Sequence, residues 1–546
     1  MNAFIVAALI AAAALAAILP MFWLGLPSGH DFEFHVNSWM EVASQWRHGI
    51  LYPRWAAMAN FGYGEPRFIF YPPASWILGA ALGSLLPWWL VPIVYVWIVL
   101  TAAGWSMFVL ARNFLSAKHA VFAAMLYAVN PYHLIIVYWR SAFAELMAAI
   151  WLPLLLLWVL RLESEGRKAI LFLAMVMAAV WLTNAPSAVM ANYSLVLLVA
   201  TIAVLRRSPR LLLYGALACL LGIGLAAFYV LPAAYEQRWV TIEQVLAPGV
   251  RPYENFLFTV IKDADHNRFN LLVSIVAVLE IAVLALAGLL SRRKKQEQPA
   301  FWWSITIWSA TIVLLMLPVS ILLWKYLPQL RFIQLPWRWL LCMNVAFALF
   351  VSLGMRRWAG RFAVALTMLI GLAAVWRFVQ PPWWDDREDV ANMNVSIQDG
   401  DGYESVYEYI PRGGNLEGID KSAPLVSCTQ CSGEVQIDRW APDERDFSVD
   451  ANKPAQLTLR LFDYPSWKIE VNGKKVIAEK REDTGQMVIP IQPGKNLVLV
   501  IFTRTWDRFL GAIISAAAAI AVFLLVALVT PTRLAHRPES AEAYAR

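Results

Sequence analysis

A polar segment rich in acids and imidazoles follows the first hydrophobic stretch of the chain. After about 25 apolar residues, the length of one membrane crossing, come His30, Asp31, Glu33 and His35. Removing such groups from water is costly unless they are paired or metal-bound, so their clustering at the edge of a bilayer indicates a functional site. The alternative is structural. Ser28 and Asp31 match an S-x-x-D capping box, in which Asp31 binds only a backbone amide of the next helix.

Arginines and further acids occur in later polar segments. Candidate substrate-binding residues, together with His30 and His35, are Arg54, Glu65, Arg67, Arg140, Arg331, Gln334 and Arg338. Arginine matches phosphate oxygens with a planar fork, so the aromatic-rich stretch 331–339 predicts a clamp for a lipid-linked phosphate. The alternative is an interfacial anchor made of Trp and Arg.

Glu145 is the second acid of interest, and Arg140 lies five residues before it. An acid at a helix start often only complements the helix dipole. An arginine on the same side of the membrane favours a polar pocket instead.

Composition places the chain among polytopic membrane proteins. Of its 546 residues 60% are hydrophobic and only 15% are charged, and 27 are Trp. The formal charge of +7 comes from Lys and Arg in short hydrophilic breaks rather than in a basic stripe. This pattern excludes nucleic-acid binding and is typical of topology signals.

Apolar segments long enough to cross a bilayer number about twelve. They are 3–26, 90–111, 119–137, 142–160, 169–184, 187–205, 211–232, 269–290, 301–323, 338–355, 362–379 and 508–530. The stretch 73–87 is too short to cross, and its flanking prolines and tryptophans predict a helix in the outer interface.

With 73–87 left out, the basic breaks all fall on one side of the membrane, which is then the cytoplasm. These breaks contain Arg112, Lys118, Arg161, Arg167, Lys168, Arg206, Arg207, Arg210, Arg292, Arg293, Lys294, Lys295, Arg356, Arg357, Arg361, Arg533 and Arg537. The amino terminus is expected inside, with residues 1–26 kept as a span. The long loop 28–89 and a soluble insert at 380–506 are then outside.

The insert 380–506 has the composition of a β-rich domain. Residues 456–462 and 467–471 alternate in polarity, and Asn472-Gly473 is a strong hairpin signal. Its two cysteines, Cys428 and Cys431, favour a local disulfide in an oxidising space; free thiols and a zinc site are the alternatives.

The chain resembles the GT-C superfamily of polyprenyl-phosphate-dependent glycosyltransferases, with an acid in the first outer loop, a second acid at the next outer connection and about a dozen spans. The motifs at 29–35, 52–55, 62–66 and 332–339 are similar to those of membrane proteins labelled "6-pyruvoyl-tetrahydropterin synthase-related". Residues 464–473 resemble the outer domain of YfhO-like proteins.

The GT-C resemblance implies a polytopic α-helical fold, with a transmembrane domain at 1–379, an extracytoplasmic β-rich domain at 380–506, a final helix at 507–530 and a cytoplasmic tail at 531–546. It implies sugar transfer from a polyprenyl-phosphate donor to a glycan, lipid or protein acceptor, outside a bacterial cytoplasmic membrane.

The resemblance also assigns roles to the acids. Asp31 matches the usual catalytic base or metal ligand, Glu145 matches the second acid, and Glu33 completes a D-x-E where the family has D-x-D. A divalent cation such as Mg or Mn at Asp31 and Glu145 is therefore an open expectation. Two other functions also stay open, a transporter or flippase of lipid-linked sugars and a cell-envelope scaffold.

Overall fold

The computed structural model describes residues 2–355 and 357–529. Eight of the described helices are long and apolar enough to cross a membrane. They are Trp88–Ala111, Ala117–Arg140, Phe143–Leu160, Ala185–Arg206, Ala264–Leu290, Pro336–Gly354, Trp358–Phe378 and Trp506–Ala527. Two bent pairs raise the number to ten if each is one span: Arg210–Leu225 with Ala227–Trp239, at 76°, and Pro299–Leu315 with Pro318–Tyr326, at 90°.

The count of eight to ten is lower than the twelve crossings predicted from sequence. The predicted spans 3–26 and 169–184 contain the helices Ala3–Ile18, of 16 residues, and Arg167–Thr183, of 17 residues. At 1.5 Å per residue such helices are about 25 Å long, which is less than the hydrocarbon core of a typical bilayer. The stretch predicted not to cross forms the helix Pro73–Gly83, of only 11 residues.

The long first loop, 28–89, folds as a compact layer on the helical bundle. Its main element is the helix Phe32–Arg47, which begins directly after Asp31. The helix Pro73–Gly83 packs on it, because Gly79 has no side chain and leaves room for the Trp39 ring. Trp39 also stacks on Tyr95 of the span Trp88–Ala111, with ring centroids 4.8 Å apart. The loop is therefore fixed to the membrane domain by aromatic packing.

The soluble insert contains two antiparallel sheets, as the sequence predicts for its later part. One sheet has the strand order Val426–Cys428, Ala455–Phe462, Gln486–Ile491, Glu479–Lys480. The other has the order Gln436–Ala441, Glu444–Ala451, Gly494–Phe502, Trp467–Val471, Lys474–Val476. Their facing apolar side chains form one buried core, which includes Phe447, Leu459, Ile489 and Val500.

The predicted Asn472-Gly473 hairpin is confirmed. It joins Trp467–Val471 to Lys474–Val476, and both turn residues have positive φ, 51° and 72°. In the same domain, Cys428 and Cys431 are joined by a disulfide.

Residues 384–425, the first part of the insert, lie outside the two sheets and cover the end of the bundle that carries Asp31. Trp384–Asp385 pairs with Leu26–Pro27, just before the acidic motif. The helix Arg387–Gln398 follows, and then a segment without regular structure. There the Tyr403 hydroxyl donates to Glu41 of the first loop, at 2.7 Å. The insert is thus part of the surroundings of the first-loop acids.

The last helix, Trp506–Val529, is bound near its amino-terminal end to the bent pair Arg210–Leu225 and Ala227–Trp239. The Arg508 guanidinium donates to both oxygens of the Glu236 carboxylate, each at 2.7 Å, and to the Ser466 hydroxyl at 2.8 Å. The predicted tail 531–546, with Arg533 and Arg537, lies outside the described residues, as does Arg356.

Candidate functional site

Asp31 occupies the N-cap position of the helix Phe32–Arg47 but does not cap it. Its side chain accepts no hydrogen bond from the amides of the first turn. The capping-box alternative is therefore wrong for Asp31. Its carboxylate is 41% exposed and lies 3.6 Å from Nη2 of Arg140.

The backbone around residue 29 brings Asp31 to Arg140. The Gly29 amide donates to the Ser141 hydroxyl at 3.0 Å, and the Asp31 amide donates to the Arg140 carbonyl at 2.9 Å. A Cβ atom on Gly29 would collide with the backbone of Trp139 and Arg140. Glycine at position 29 is thus required for this close approach of the two segments.

Glu145 lies behind Arg140 and is only 2% exposed. Its carboxylate forms an ion pair with Arg140, accepts a hydrogen bond from the Tyr132 hydroxyl at 2.7 Å and lies 3.1 Å from Nε of Arg338. Glu145 therefore interacts with side chains and does not merely complement the dipole of its own helix. Because its oxygens are already engaged, its geometry suits it to position the two arginines.

Arg338 is the second arginine that contacts Glu145, and its guanidinium also forms hydrogen bonds within its own loop. Its Nη1 donates to the Ile333 carbonyl and to Oε1 of Gln334, both at 2.8 Å. Gln334 in turn donates to the Val245 carbonyl at 2.7 Å. Asp31, Arg140, Glu145 and Arg338 thus form one connected network, which we call the carboxylate–arginine network.

The stretch 331–339 is not an interfacial anchor over most of its length. Trp337, Trp339 and Arg338 are buried, and the Arg140 guanidinium lies 5.1 Å from the Trp337 ring. Only Arg331 is exposed, over the ring of its neighbour Phe332. The structure therefore brings Arg338 and Gln334 to the network and leaves Arg331 outside it.

His30 lies at the edge of the network, among aromatic rings. Its ring is 5.0 Å from Phe269 and 5.6 Å from Trp383, between ring centroids. Phe269 is also 5.6 Å from Trp337, which packs on Arg140. His30 is thus the histidine of the motif that remains accessible beside Asp31.

His35 lies in the interior below Asp31. Burial lowers the pKa of His35 to about 4, so the ring is neutral at physiological pH. Its Nε2 lies 3.4 Å from the Tyr71 hydroxyl, and its ring packs against Phe143. These contacts indicate that His35 has a structural role, packed beneath the site.

Glu65 and Arg67 form a buried ion pair of 2.7 Å. Arg67 also donates to the Ser38 hydroxyl at 2.8 Å, and the Ser405 hydroxyl donates to Glu65 at 2.7 Å. The pair joins the first-loop helix to the covering segment of the insert. Both residues are therefore buried structural contacts of this layer and do not line the accessible part of the site.

Glu33 and Arg54 are two other predicted site residues, and neither forms an ion pair or hydrogen bond with the carboxylate–arginine network among the described residues. Glu33 is exposed, and its pKa is raised by partial burial and by the nearby carboxylates of Asp385 and Glu404. The Arg54 guanidinium lies over the Tyr52 ring at 4.4 Å, in the electrostatic range of Arg508. Arg54 therefore does not share a phosphate site with Arg338.

One residue of the site escaped the sequence analysis. Tyr132, which binds Glu145, follows an Asn130-Pro131 break within an apolar span, and such a break is a usable sequence signal.

The donor set at Asp31 and Glu145 does not fit a divalent cation. Arg140 lies between the two carboxylates, and Glu145 is engaged by Tyr132 and by two guanidinium groups. Within 2–355 and 357–529, no group of three or more His, Cys, Asp or Glu side chains has a metal-binding arrangement. A cation at this position would have to displace an arginine that both carboxylates already bind.

One family model matches the chain, over residues 68–379, and is described as "6-pyruvoyl-tetrahydropterin synthase related domain; membrane protein". No curated protein matches. The matched range includes Arg140, Glu145 and Arg338, and begins after Asp31.

Proposed function

The chain belongs to the 6-pyruvoyl-tetrahydropterin synthase-related family of membrane proteins, and we propose that it is a glycosyltransferase that uses a polyprenyl-phosphate-linked sugar. The family description assigns no reaction. The proposal therefore depends on the carboxylate–arginine network and on the resemblance of the chain to GT-C enzymes.

The exposure of Asp31 is the observation that carries this proposal. Asp31 is the accessible carboxylate of a network whose other acid, Glu145, is buried and fully engaged. It lies beside a guanidinium, next to the aromatic side chains around His30. An accessible carboxylate beside arginines suits a reaction in which a hydroxyl loses a proton while a phosphate leaves.

In the proposed reaction, Asp31 accepts the proton of an acceptor hydroxyl. The hydroxyl oxygen forms a bond to the anomeric carbon of the donor sugar, and the bond from that carbon to the phosphate oxygen breaks. The polyprenyl phosphate leaves with the electron pair of the broken bond. Arg140 and Arg338 stabilise the leaving phosphate, because charge-assisted hydrogen bonds strengthen as negative charge develops on its oxygens.

Glu145 acts as a positioning residue in this scheme. It holds Arg140 and Arg338 through the same carboxylate, so the two guanidinium groups keep a constant separation. Tyr132 fixes Glu145 from the other side. A preorganised pair of cations costs little reorganisation when the phosphate leaves. The positive charge that a metal ion would supply is thus assigned to the arginines.

The location that we propose is the outer face of a bacterial cytoplasmic membrane. The short helices Ala3–Ile18 and Arg167–Thr183 would then cross where the bilayer is locally thinned, and with the ten longer spans and bent pairs they would complete a GT-C-like domain of twelve crossings. Membrane lipids and the polyprenyl chain of the donor would contact the exposed apolar faces of these helices. The acceptor, a glycan, lipid or protein, would reach Asp31 from the aqueous side.

Sugar transfer in reconstituted proteoliposomes tests the proposal. The purified protein is supplied with a radiolabelled polyprenyl-phosphate sugar, and label released from the lipid is measured with and without a mixture of acceptors. We expect release by the wild-type protein and a loss of about 100-fold or more in Asp31→Asn, because the amide keeps the shape of Asp31 but has no basicity.

Asp265→Asn is the matched control, since Asp265 is an outer carboxylate that is 84% exposed and only pairs with Arg268 on its own helix. Label that crosses the bilayer while still linked to the lipid would indicate a flippase and contradict the proposal. If the label is neither released from the lipid nor moved across the bilayer, the result would favour a cell-envelope scaffold and contradict the proposal.

A further inference from the structure

Trp383 belongs to a short connection between a span and the insert, and backbone groups hold this connection beside the acidic motif. The Ser28 amide, three residues before Asp31, donates to the Trp383 carbonyl at 3.1 Å. Just before it in the chain, the Gln380 carbonyl accepts a hydrogen bond from the Trp139 indole at 2.8 Å. Because the connection uses its main chain in both bonds, they fix its position whatever side chain residue 383 carries.

The side chains of Trp383 and its neighbour Trp384 point to opposite faces of the connection, as expected for an extended chain. The Trp384 ring packs inward on Tyr138 and Trp376, with ring centroids 5.9 and 5.7 Å away. Trp383, by contrast, is 43% exposed, and its ring centroid lies 5.6 Å from that of His30. An exposed indole thus lies beside the histidine that directly precedes the proposed catalytic base.

The alternative role for an exposed tryptophan near the end of a span is that of an interfacial anchor. Two observations favour a ligand instead. Residues 385–389, which follow closely, are all charged, so the connection continues into water. The indole also adjoins His30, which is accessible, and next to His30 is the accessible carboxylate of Asp31. An anchor needs neither of these neighbours, whereas a binding site combines apolar surface with a few polar groups.

Burial separates the two sides of the site. Arg140 and Arg338, to which the leaving phosphate is assigned, are buried, whereas Asp31 and Trp383 are both accessible. The phosphate side of the proposed reaction is thus the enclosed side. Trp383 belongs to the open side, from which the acceptor enters.

A carbohydrate ring matches this combination of groups. One face of a pyranose consists of C–H groups and packs on an aromatic ring, while the hydroxyls around its edge need hydrogen-bond partners. The accessible His30 ring can supply one such partner beside Trp383. A serine side chain or a glycerol headgroup offers no comparable ring face to an indole.

We infer that the acceptor is a carbohydrate, whose ring stacks on Trp383 while its reacting hydroxyl reaches Asp31. This inference rests on the proposed transferase function and narrows its acceptor to one class. The hydroxyl gives its proton to Asp31, and its oxygen bonds to the anomeric carbon of the donor sugar. The polyprenyl phosphate leaves with the electron pair of the broken bond, and the new bond between the two sugars is glycosidic.

Acceptor kinetics in proteoliposomes are the first test. The radiolabelled polyprenyl-phosphate sugar is supplied with a methyl glycoside of glucose, galactose or N-acetylglucosamine, with a serine-containing peptide or with glycerol. We expect transfer to at least one glycoside. Trp383→Ala should raise the acceptor KM about tenfold with little change in kcat, and Trp383→Phe should recover most of the loss, because phenylalanine keeps an aromatic face.

Trp23→Ala is the matched control, because Trp23 is 73% exposed at the end of the helix Pro20–Trp23, in the apolar segment before the motif. It should keep the wild-type acceptor KM. Equal effects of Trp23→Ala and Trp383→Ala would indicate two interfacial anchors and overturn the inference. Transfer to the peptide or glycerol alone would also overturn it. A rise in the donor KM in place of the acceptor KM would assign Trp383 to the polyprenyl chain and contradict it as well.

Binding without reaction is the second test, measured by saturation-transfer NMR on the protein in nanodiscs. In Asp31→Asn, which should bind the glycoside but not react, the C–H protons of the sugar ring should receive saturation. Adding Trp383→Ala should abolish this signal, whereas adding Trp383→Phe or Trp23→Ala should keep it. Absence of the signal for all three glycosides would overturn the inference. A glycoside that binds at Trp383 but is never glycosylated by the wild type would instead contradict the proposed function.

Discussion

Asp31 and Arg140 are joined twice, once through their backbones and once through their side chains. The Asp31 amide donates to the Arg140 carbonyl at 2.9 Å, and Oδ2 of Asp31 lies 3.6 Å from Nη2 of Arg140. The backbone bond sets the distance between the two chains, so the ion pair does not depend on the flexibility of a long arginine side chain alone. This arrangement keeps the carboxylate accessible while the guanidinium remains buried.

Replacing Arg338 by lysine should raise the apparent KM for the lipid-linked donor about tenfold, because lysine keeps the charge but loses the planar fork. Initial rates over a range of donor concentrations measure the effect. Arg331→Lys is the control, since Arg331 is exposed and lies outside the network. Arg54→Lys should also leave the donor KM unchanged, because Arg54 packs on Tyr52, away from Arg338. Equal donor kinetics in Arg338→Lys and wild type would contradict the proposal that Arg338 binds the donor phosphate.

Replacing Gly29 by alanine should damage both folding and transfer. The new methyl group would meet the backbone of Trp139 and Arg140, which cannot move aside as a side chain can. Overpacking of this kind costs about 1–3 kcal/mol and should move Asp31 away from Arg140. A lower Tm together with a lower kcat is the expected result. Gly433→Ala serves as the control, because its added Cβ would meet no atom within 4 Å. Wild-type Tm and kcat in Gly29→Ala would show that the close approach is not needed.

Removal of divalent cations should leave transfer unchanged. Arg140 occupies the position between Asp31 and Glu145 where a bridging ion would have to bind. The measurement compares initial rates before and after dialysis against a chelator, and then after addition of Mg²⁺ or Mn²⁺. A loss of activity that either ion restores would contradict the arginine-based scheme. It would support the alternative in which Asp31 is a metal ligand.

The proposed topology predicts which added cysteines react with an impermeant maleimide in intact cells. Leu51→Cys in the first loop and Lys474→Cys in the β-rich domain should be labelled, because both positions are exposed and expected outside. Gln296→Cys, exposed next to the basic run at 292–295, should be labelled only after the cells are opened. Labelling of Gln296→Cys in intact cells would reverse the orientation.

The local features of the fold were predictable from the sequence because their causes are local. A run of apolar residues must avoid water wherever it lies, so each of the twelve predicted segments contains helix. Alternating polarity and an Asn-Gly pair specify a hairpin through backbone geometry alone, and the hairpin at 472–473 follows. The number of full crossings was less predictable, since bends of 76° and 90° depend on packing between helices.

The candidate site was only partly predictable. Asp31, Arg140, Glu145 and Arg338 were each identified by residue type and by the side of the membrane expected for them, and the structure brings all four together. The same reasoning also selected Arg54, which the fold places elsewhere. Residue type and side of the membrane indicate where a charge can lie, but they do not indicate which other charge it meets.

The sequence by itself determined that this is a membrane protein with an acidic motif after its first apolar segment and a β-rich domain before its last one, since composition and short-range periodicity are sufficient for these features. Only the tertiary structure decided that Asp31 stays accessible while Glu145 is enclosed between two arginines. It alone brought Tyr132 and Arg338, from separate segments, to the Glu145 carboxylate. The physical reason is that burial and pairing depend on contacts between segments far apart in the chain, and these contacts determine which carboxylate can exchange a proton.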